Sequence, residues 1–169
     1  MTTLPTCFGV LAKGGKATVS VLPIPEPRRA GEVLVRVSCT AVNRADTLQR
    51  RGQYPPPEGA THVMGLEAAG VVVSRAPGRV RSFAPGQRVM ALLPGGGFSQ
   101  YALVHEGSLM RVPDGWDDVK AACTPEVFLT AFQLLHRLAR VEPGDSVLVH
   151  AGASGVGTAA IQLAQLAGC

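Results

Sequence analysis

A glycine-dense turn between residues 152 and 157 carries the clearest chemical signal in this sequence. Gly152, Ser154 and Gly157 occupy the three fixed positions of a G-x-G-x-x-G pattern, and Gly155 is an additional glycine. Backbone N–H groups at the start of a helix, together with the positive end of its dipole, bind phosphate groups. Ser154 stands where the second glycine normally lets a pyrophosphate approach the backbone. Its small hydroxyl still allows that approach and can donate a hydrogen bond to phosphate.

The residues on either side of this turn fit a dinucleotide-binding unit. Residues 147–149 are all aliphatic, as expected of a strand that is buried on both faces of a parallel sheet. After the turn, apolar residues recur at helical spacing, namely Val156, Ala159, Ala160, Leu163 and Ala167. Strand, glycine turn and helix in this order predict a pyrophosphate site at residues 152–157, Val156 included. The alternative is an ordinary glycine-rich turn, because the glycine pattern alone is a weak signal.

Residues 1–124 are expected to form a mainly β domain. The candidate strands are residues 7–11, 17–22, 33–37, a run ending at residue 73, 89–93 and 98–104, and turn signals separate them. A short helix over residues 43–51, with Ala45 and Leu48 directed inward, interrupts the series. Many short strands with closely spaced turns are typical of a compact, barrel-like domain.

A second domain is expected to begin at residue 125. Thr124 can cap a helix, Pro125 suits its first position, and Glu126 favours the positive end of the helix dipole. That helix is predicted over residues 126–139, with an apolar face formed by Val127, Phe128, Ala131, Leu134, Leu135 and Leu138. The sequence ends after one further helix, so we expect residues 125–169 to be an incomplete nucleotide-binding domain at the front of a larger protein.

Composition excludes several classes of protein. The sequence has 169 residues and a formal net charge of +4, and its arginines are scattered and not interleaved with aromatic residues, which argues against a nucleic-acid-binding face. The four cysteines form no C-x-x-C pair, which argues against a zinc ribbon or a disulfide framework and suits a reducing compartment. No signal peptide or membrane-spanning run is present. We therefore expect a soluble, cytoplasmic protein with neither a nucleic-acid nor a membrane partner.

Several motifs occur in the order found in the medium-chain dehydrogenase/reductase superfamily, which the sequence resembles. They are residues 32–35, 43–46, 65–70, 85–89 and 152–157. Residues 43–46, 52–54, 92–97 and 129–136 are especially similar to the zinc-free quinone oxidoreductase branch, the stress-inducible subgroup that includes relatives of zeta-crystallin. The resemblance implies a GroES-like barrel domain followed by the first elements of a Rossmann-type α/β domain.

The residues argue against a catalytic zinc. Asn43 and Leu66 stand where zinc-dependent members of the superfamily have a cysteine and a histidine. An amide is a poor zinc ligand and leucine is none, so only the carboxylate of Glu67 remains. His62 and His105 have no partners at ligand spacing. We predict no metal.

The resemblance also assigns the remaining site residues. It implies that Asn43 and Tyr54 lie beside the nicotinamide and the acceptor as catalytic residues, and that Thr130 faces the nicotinamide ring. Asn43 would also contact the cofactor. Each has a structural alternative: Asn43 can be a helix N-cap, and Tyr54 can be a loop aromatic packed on prolines. Asp46 can orient the short helix through backbone hydrogen bonds, and Glu67 can be a buried acid paired with an arginine.

The resemblance favours an NADPH-dependent quinone oxidoreductase that transfers hydride without zinc and is a homodimer at full length. An enoyl-thioester reductase of the same superfamily is the alternative, because both enzymes act on conjugated carbonyl compounds. A third possibility is a catalytically inactive, truncated product that acts only by binding.

Overall fold

The computed structural model describes residues 5–77 and 83–169. The chain divides into two compact units, Met1–Cys123 and Thr124–Cys169. The first unit contains all of the assigned strands, and the second is helical in the part of the chain that is described.

Two antiparallel sheets form the first unit. β1 and β2 make a two-stranded sheet, and the other five strands make a sheet in the order β6-β3-β4-β5-β7. The strands are β1 (Thr6–Lys13), β2 (Lys16–Pro23), β3 (Glu32–Cys39), β4 (Glu67–Arg75), β5 (Arg88–Leu92), β6 (Tyr101–His105) and β7 (Leu109–Arg111). The prediction of a mainly β first domain is confirmed.

Turn chemistry fixes the pairing of β1 with β2. Gly14 and Gly15 both have positive φ, 55° and 74°, as the two central residues of a type I′ turn require. Lys13 and Lys16 are therefore paired directly across the turn, and the ladder continues to Thr6 and Pro23.

The core of the first unit lies on one face of the five-stranded sheet. Val33, Val35 and Val72 are almost fully buried there, and they pack with residues of β5, β6 and β7. Burying each valine contributes about 2 kcal/mol relative to leaving it exposed. β4 is the central strand and has hydrogen-bonded neighbours on both sides, so the residue that begins it, Glu67, is held firmly.

Two short helices accompany the sheet. α1 (Arg44–Arg50) lies within the predicted range, and α2 (Asp118–Ala122) was not predicted. The inward residues of α1 are Asp46 and Gln49, whereas Ala45 and Leu48 are only partly buried. The prediction for Ala45 and Leu48 was wrong because a polar side chain can be buried when the backbone supplies donors, as Asn43 N does for Asp46.

The second unit contains α3 (Pro125–Phe132), a π-helical segment (Gln133–Ala139) and α4 (Gly155–Leu166). The single helix predicted over residues 126–139 therefore changes its hydrogen-bond pattern at Gln133, and it ends at Arg140 in a left-handed conformation with φ 56°. Of the predicted apolar face, Ala131 and Leu135 are buried, while Leu134 and Leu138 are exposed.

Residues 147–149 do not form the predicted strand. Val147 and Val149 pack against α3 and α4, but no strand in the described part of the chain pairs with this segment. Leu148 between them is 83% exposed. A β-ladder takes two strands, so aliphatic composition alone did not suffice.

Candidate functional site

The start of α1 brings two of the predicted residues together. Asn43 is the N-cap, with φ −109° and ψ 162°, and its backbone N–H donates to Asp46 Oδ2 at 2.7 Å. Asparagine is among the preferred N-cap residues because its side-chain oxygen can accept a backbone N–H of the first turn. The N-cap role of Asn43 and the orienting role of Asp46 are both confirmed.

The side chain of Asn43 reaches the first residue of the central strand. Asn43 Nδ2 donates to Glu67 Oε1 at 2.8 Å, and Glu67 is only 1% exposed. Thr40 Oγ1 also donates to the backbone carbonyl of Glu67, at 2.6 Å. The bond between Glu67 and this amide was not predicted from the sequence. The available signal was that both residues belong to motifs of the same family pattern.

Two glycines allow the backbone to cross closely beside Glu67. A Cβ at Gly65 would lie 2.3 Å from Phe98 N, and one at Gly97 would lie 2.5 Å from the Glu67 carbonyl oxygen. Gly97 N donates to Gly65 O at 3.0 Å, so the crossing is hydrogen-bonded as well as tight. Neither position has space for a side chain.

Buried acceptors line the inner side of α1. Asp46 is 2% exposed and Gln49 is 6% exposed, and neither Asp46 Oδ1 nor Gln49 Oε1 has a hydrogen-bond donor among the described residues. Burial raises the pKa of the Asp46 carboxyl, and backbone N–H donation from Asn43 and Gly65 partly opposes that rise.

Tyr54 lies on the loop that follows α1. It is 43% exposed and lines a cavity of about 340 Å³ together with Pro55 and Pro56. Its place on a loop beside prolines agrees with the loop-aromatic alternative, and the residue is partly open to solvent. Asn43 does not line the same cavity.

In the second unit, Ser154 begins α4. Ser154 is the N-cap, and its Oγ accepts a hydrogen bond from Gly157 N at 3.0 Å. The hydroxyl hydrogen therefore remains able to donate. The N–H groups of Gly155 and Val156 lie in the first turn, where a helix offers no backbone acceptor.

The glycines of this turn differ in their roles. A Cβ at Gly157 would lie 2.3 Å from the Ala151 carbonyl oxygen, so only glycine allows this approach of the helix to the turn. Gly152 was expected to make the tight turn, but the left-handed residue is Ala151, with φ 54°. A Cβ at Gly152 would meet nothing nearer than Ile161 Cδ1 at 3.4 Å.

Thr130 lies on the helix that packs against this turn. Its Oγ1 donates to the Glu126 carbonyl at 2.7 Å, which leaves the oxygen lone pairs as acceptors. Val127, one helical turn before Thr130, packs against Gly155: a Cβ there would lie 2.9 Å from Val127 Cγ1. The second unit thus packs the helix that carries Thr130 against the predicted pyrophosphate turn, through Val127.

These residues fit the phosphates of a dinucleotide. The turn offers free first-turn amides, a hydroxyl donor and a helix start with room for close approach, since Ser154 and Gly155 are both exposed. No cluster of three or more His, Cys, Asp or Glu side chains suited to a metal occurs within residues 5–77 and 83–169. Over the same residues, no helix is both long enough and apolar enough to cross a bilayer.

A two-sheet β domain followed by a glycine turn at a helix start is the arrangement that the resemblance to medium-chain dehydrogenases/reductases predicts. The chain belongs to the alcohol dehydrogenase GroES-like domain family, whose model matches residues 29–114, and hence to the medium-chain dehydrogenase/reductase superfamily. The predicted fold class, a GroES-like domain followed by the first part of an α/β domain, is confirmed.

Individual relatives show which members of the superfamily the chain is similar to. The chain is 46% identical over 171 residues to erythronolide synthase EryA2 of Saccharopolyspora erythraea. This match covers 98% of this chain and 5% of the synthase. The solved CurK enoyl reductase superposes with a TM-score of 0.86 at 30% identity, over 97% of this chain and 52% of that one. A mycobacterial protein complexed with NADPH superposes with a TM-score of 0.84 at 31% identity, over 97% and 51%. The chain thus spans about half the length of these solved relatives.

We predict that Gly157→Ala destabilises the second unit by about 2 kcal/mol, because its Cβ would overlap the backbone of Ala151. Gly152→Ala is the matched control and should cost well under half as much. Hydrogen exchange of the amides of α4 measures both effects. Equal losses in the two variants would show that the approach of Gly157 is not a packing constraint.

We predict that the free energy of unfolding of the Asp46→Asn variant increases relative to that of the parent as pH rises from 4 to 7. A carboxyl whose pKa is raised in the folded state stabilises the fold below its unfolded pKa, and this contribution is lost as pH rises through the folded pKa. The gain at neutral pH should be on the order of 1 kcal/mol, the cost of a buried acceptor without a donor.

Urea unfolding at several pH values measures this difference. Asp117→Asn is the control, because Asp117 Oδ1 accepts from Lys120 N at an exposed helix start. A difference between Asp46→Asn and the parent that is constant or shrinks with pH would contradict the prediction.

Proposed function

We propose that this chain is part of an NADPH-dependent enoyl-thioester reductase of the kind that works within a polyketide synthase. The observation that carries the proposal is the 46% identity to a polyketide-forming synthase over 98% of this chain. The likeness to the CurK and JamJ enoyl reductases supports it, with TM-scores of 0.86 and 0.81. The sequence resemblance favours a quinone oxidoreductase, whereas these comparisons favour the alternative, an enoyl-thioester reductase.

The glycine turn supports the cofactor part of the proposal. Gly155 and Val156 would offer their backbone N–H groups, and Ser154 its hydroxyl hydrogen, to the pyrophosphate of NADPH. Gly157 allows α4 to begin this close to residues 151 and 152. Thr130 lies on the helix beside the turn, with acceptor lone pairs available. When bound, NADPH supplies a hydride.

Reduction of an enoyl thioester requires two further contributions from the protein. Addition of hydride at the β-carbon moves negative charge to the thioester carbonyl oxygen, and the α-carbon must then receive a proton. The protein has to orient the double bond, exclude water and deliver that proton. The same requirements hold without a metal, because the conjugated carbonyl already delocalises the charge.

Tyr54 is our candidate for the proton donor. The residue is 43% exposed, and a phenol hydroxyl is a group that can donate a proton as a general acid. The following residues, Pro55 and Pro56, restrict the backbone and so limit the positions the ring can take. Absence of zinc and dimerisation at full length remain part of the proposal.

The substrate class can be tested directly. A polypeptide that carries this chain together with a complete nucleotide-binding domain should oxidise NADPH with a crotonyl or 2-methylcrotonyl thioester at least 100-fold more efficiently than with a naphthoquinone. Stopped-flow absorbance at the NADPH band measures kcat/KM for both acceptors. A preference for the quinone would return the assignment to quinone oxidoreductase. No oxidation with either acceptor would favour an inactive, binding role.

We predict that Tyr54→Phe lowers kcat for the thioester by about 100-fold and leaves KM nearly unchanged, because removing a general acid affects the transition state and not substrate binding. The matched control is Tyr101→Phe on β6, which changes the only other tyrosine in the sequence. Similar losses in the two variants, or a rise in KM alone, would show that Tyr54 does not deliver the proton.

A further inference from the structure

Glu67 is a buried acid that has no role in the reaction described above. It is only 1% exposed, it begins the central strand β4, and it accepts a hydrogen bond from the side chain of a site residue. We propose that Glu67 is a positioning residue that fixes the orientation of the Asn43 amide and thereby sets which atom of Asn43 a ligand meets. That the Asn43 amide contacts a ligand at all rests on the proposed function.

The hydrogen bond determines the orientation of the amide. Asn43 Nδ2 lies 2.8 Å from Glu67 Oε1. Because Glu67 Oε1 accepts this hydrogen bond, a rotation of the amide by 180° would place two acceptor oxygens against each other. Asn43 therefore keeps Nδ2 on the Glu67 side and Oδ1 on the opposite branch of the side chain.

Both partners of this bond are held by their backbones. Thr40 Oγ1 donates to the Glu67 carbonyl at 2.6 Å, and Gly97 packs so closely on that carbonyl that a Cβ would lie 2.5 Å away. On the other side, Asp46 Oδ2 accepts from Asn43 N at 2.7 Å. Neither residue can shift alone, so the amide is oriented before any ligand binds.

This orientation adds to the chemistry expected of Asn43. The expected donation to a carbonyl that develops negative charge stays available, because Nδ2 carries a second hydrogen besides the one held by Glu67. With Nδ2 on the Glu67 side, Oδ1 lies on the opposite branch and can accept from an N–H donor, such as the carboxamide of a nicotinamide, and Asn43 is only partly buried. Binding of the cofactor should therefore depend on Glu67.

The orientation can be observed on the chain itself. Asn43 is the only asparagine in the sequence, so selective labelling with ¹⁵N-asparagine gives a single side-chain amide in the NMR spectrum. In the parent, one of its two protons should exchange slowly with water. Glu67→Gln can either accept from Nδ2 or donate to Oδ1, so we expect that proton to exchange at least 10-fold faster.

Two further variants complete this test. Glu67→Asp keeps the carboxyl group but shortens the side chain by one methylene, which withdraws the acceptor oxygen from Asn43. If Glu67→Gln does not fold, Glu67→Asp should give the same loss of protection of the Asn43 amide proton. Glu26→Gln removes an acid from the exposed Arg28 ion pair and should leave the Asn43 signal unchanged. An Asn43 amide that exchanges equally fast in the parent and in Glu67→Gln would overturn the proposal, whether or not the chain reduces a thioester.

A double-mutant cycle separates positioning from a general structural role. In a polypeptide with a complete nucleotide-binding domain, Glu67→Gln should raise the KM for NADPH about 10-fold, with a smaller effect on kcat. In an Asn43→Ala background the same substitution should change that KM by no more than about twofold, the scatter expected of independent sites. An equal effect in both backgrounds would show that Glu67 acts through the fold and not through Asn43.

Discussion

The requirement to satisfy a buried carboxyl at the head of the central strand organises the first unit. A carboxyl removed from water without hydrogen-bond donors is costly, so the residues around Glu67 are arranged to supply them. The Asn43 amide provides one donor, and that places the start of α1 against the head of β4. Thr40 and Gly97 hold the backbone at the same point. The position of α1, and of the Tyr54 loop that follows it, depends on this arrangement.

Most of the fold could be predicted because local chemistry and packing agree. Valines alternate or cluster where strands form, and Gly14–Gly15 gives the turn that pairs β1 with β2. The exceptions are places where a long-range partner decides. Residues 147–149 have the composition of a strand but no partner strand in the described chain. Leu134 and Leu138 are apolar residues of the kind found in a core, yet both are exposed. Composition shows what a segment can do, whereas pairing depends on what lies beside it.

The residues of the candidate site could be singled out from the sequence, but their contacts could not. The glycine turn was identified from its spacing, yet the strained position is Ala151 and not Gly152, because a left-handed residue is not required to be glycine. Asn43 and Glu67 were both singled out, but their pairing spans 24 residues and no local rule connects them. The choice between a quinone and an enoyl thioester could not be read from these residues either, since both acceptors take a hydride and a proton.

The glycine crossing formed by Gly65 and Gly97 has a consequence for how such an enzyme can diversify. No side chain fits at either position, so a substitution at one cannot be compensated by trimming a neighbour and would require two backbone segments to move together. The loop after α1 has no such restriction at Tyr54, which is exposed and lines a cavity with Pro55 and Pro56. Laboratory evolution toward new acceptors should therefore randomise that loop and leave the crossing intact.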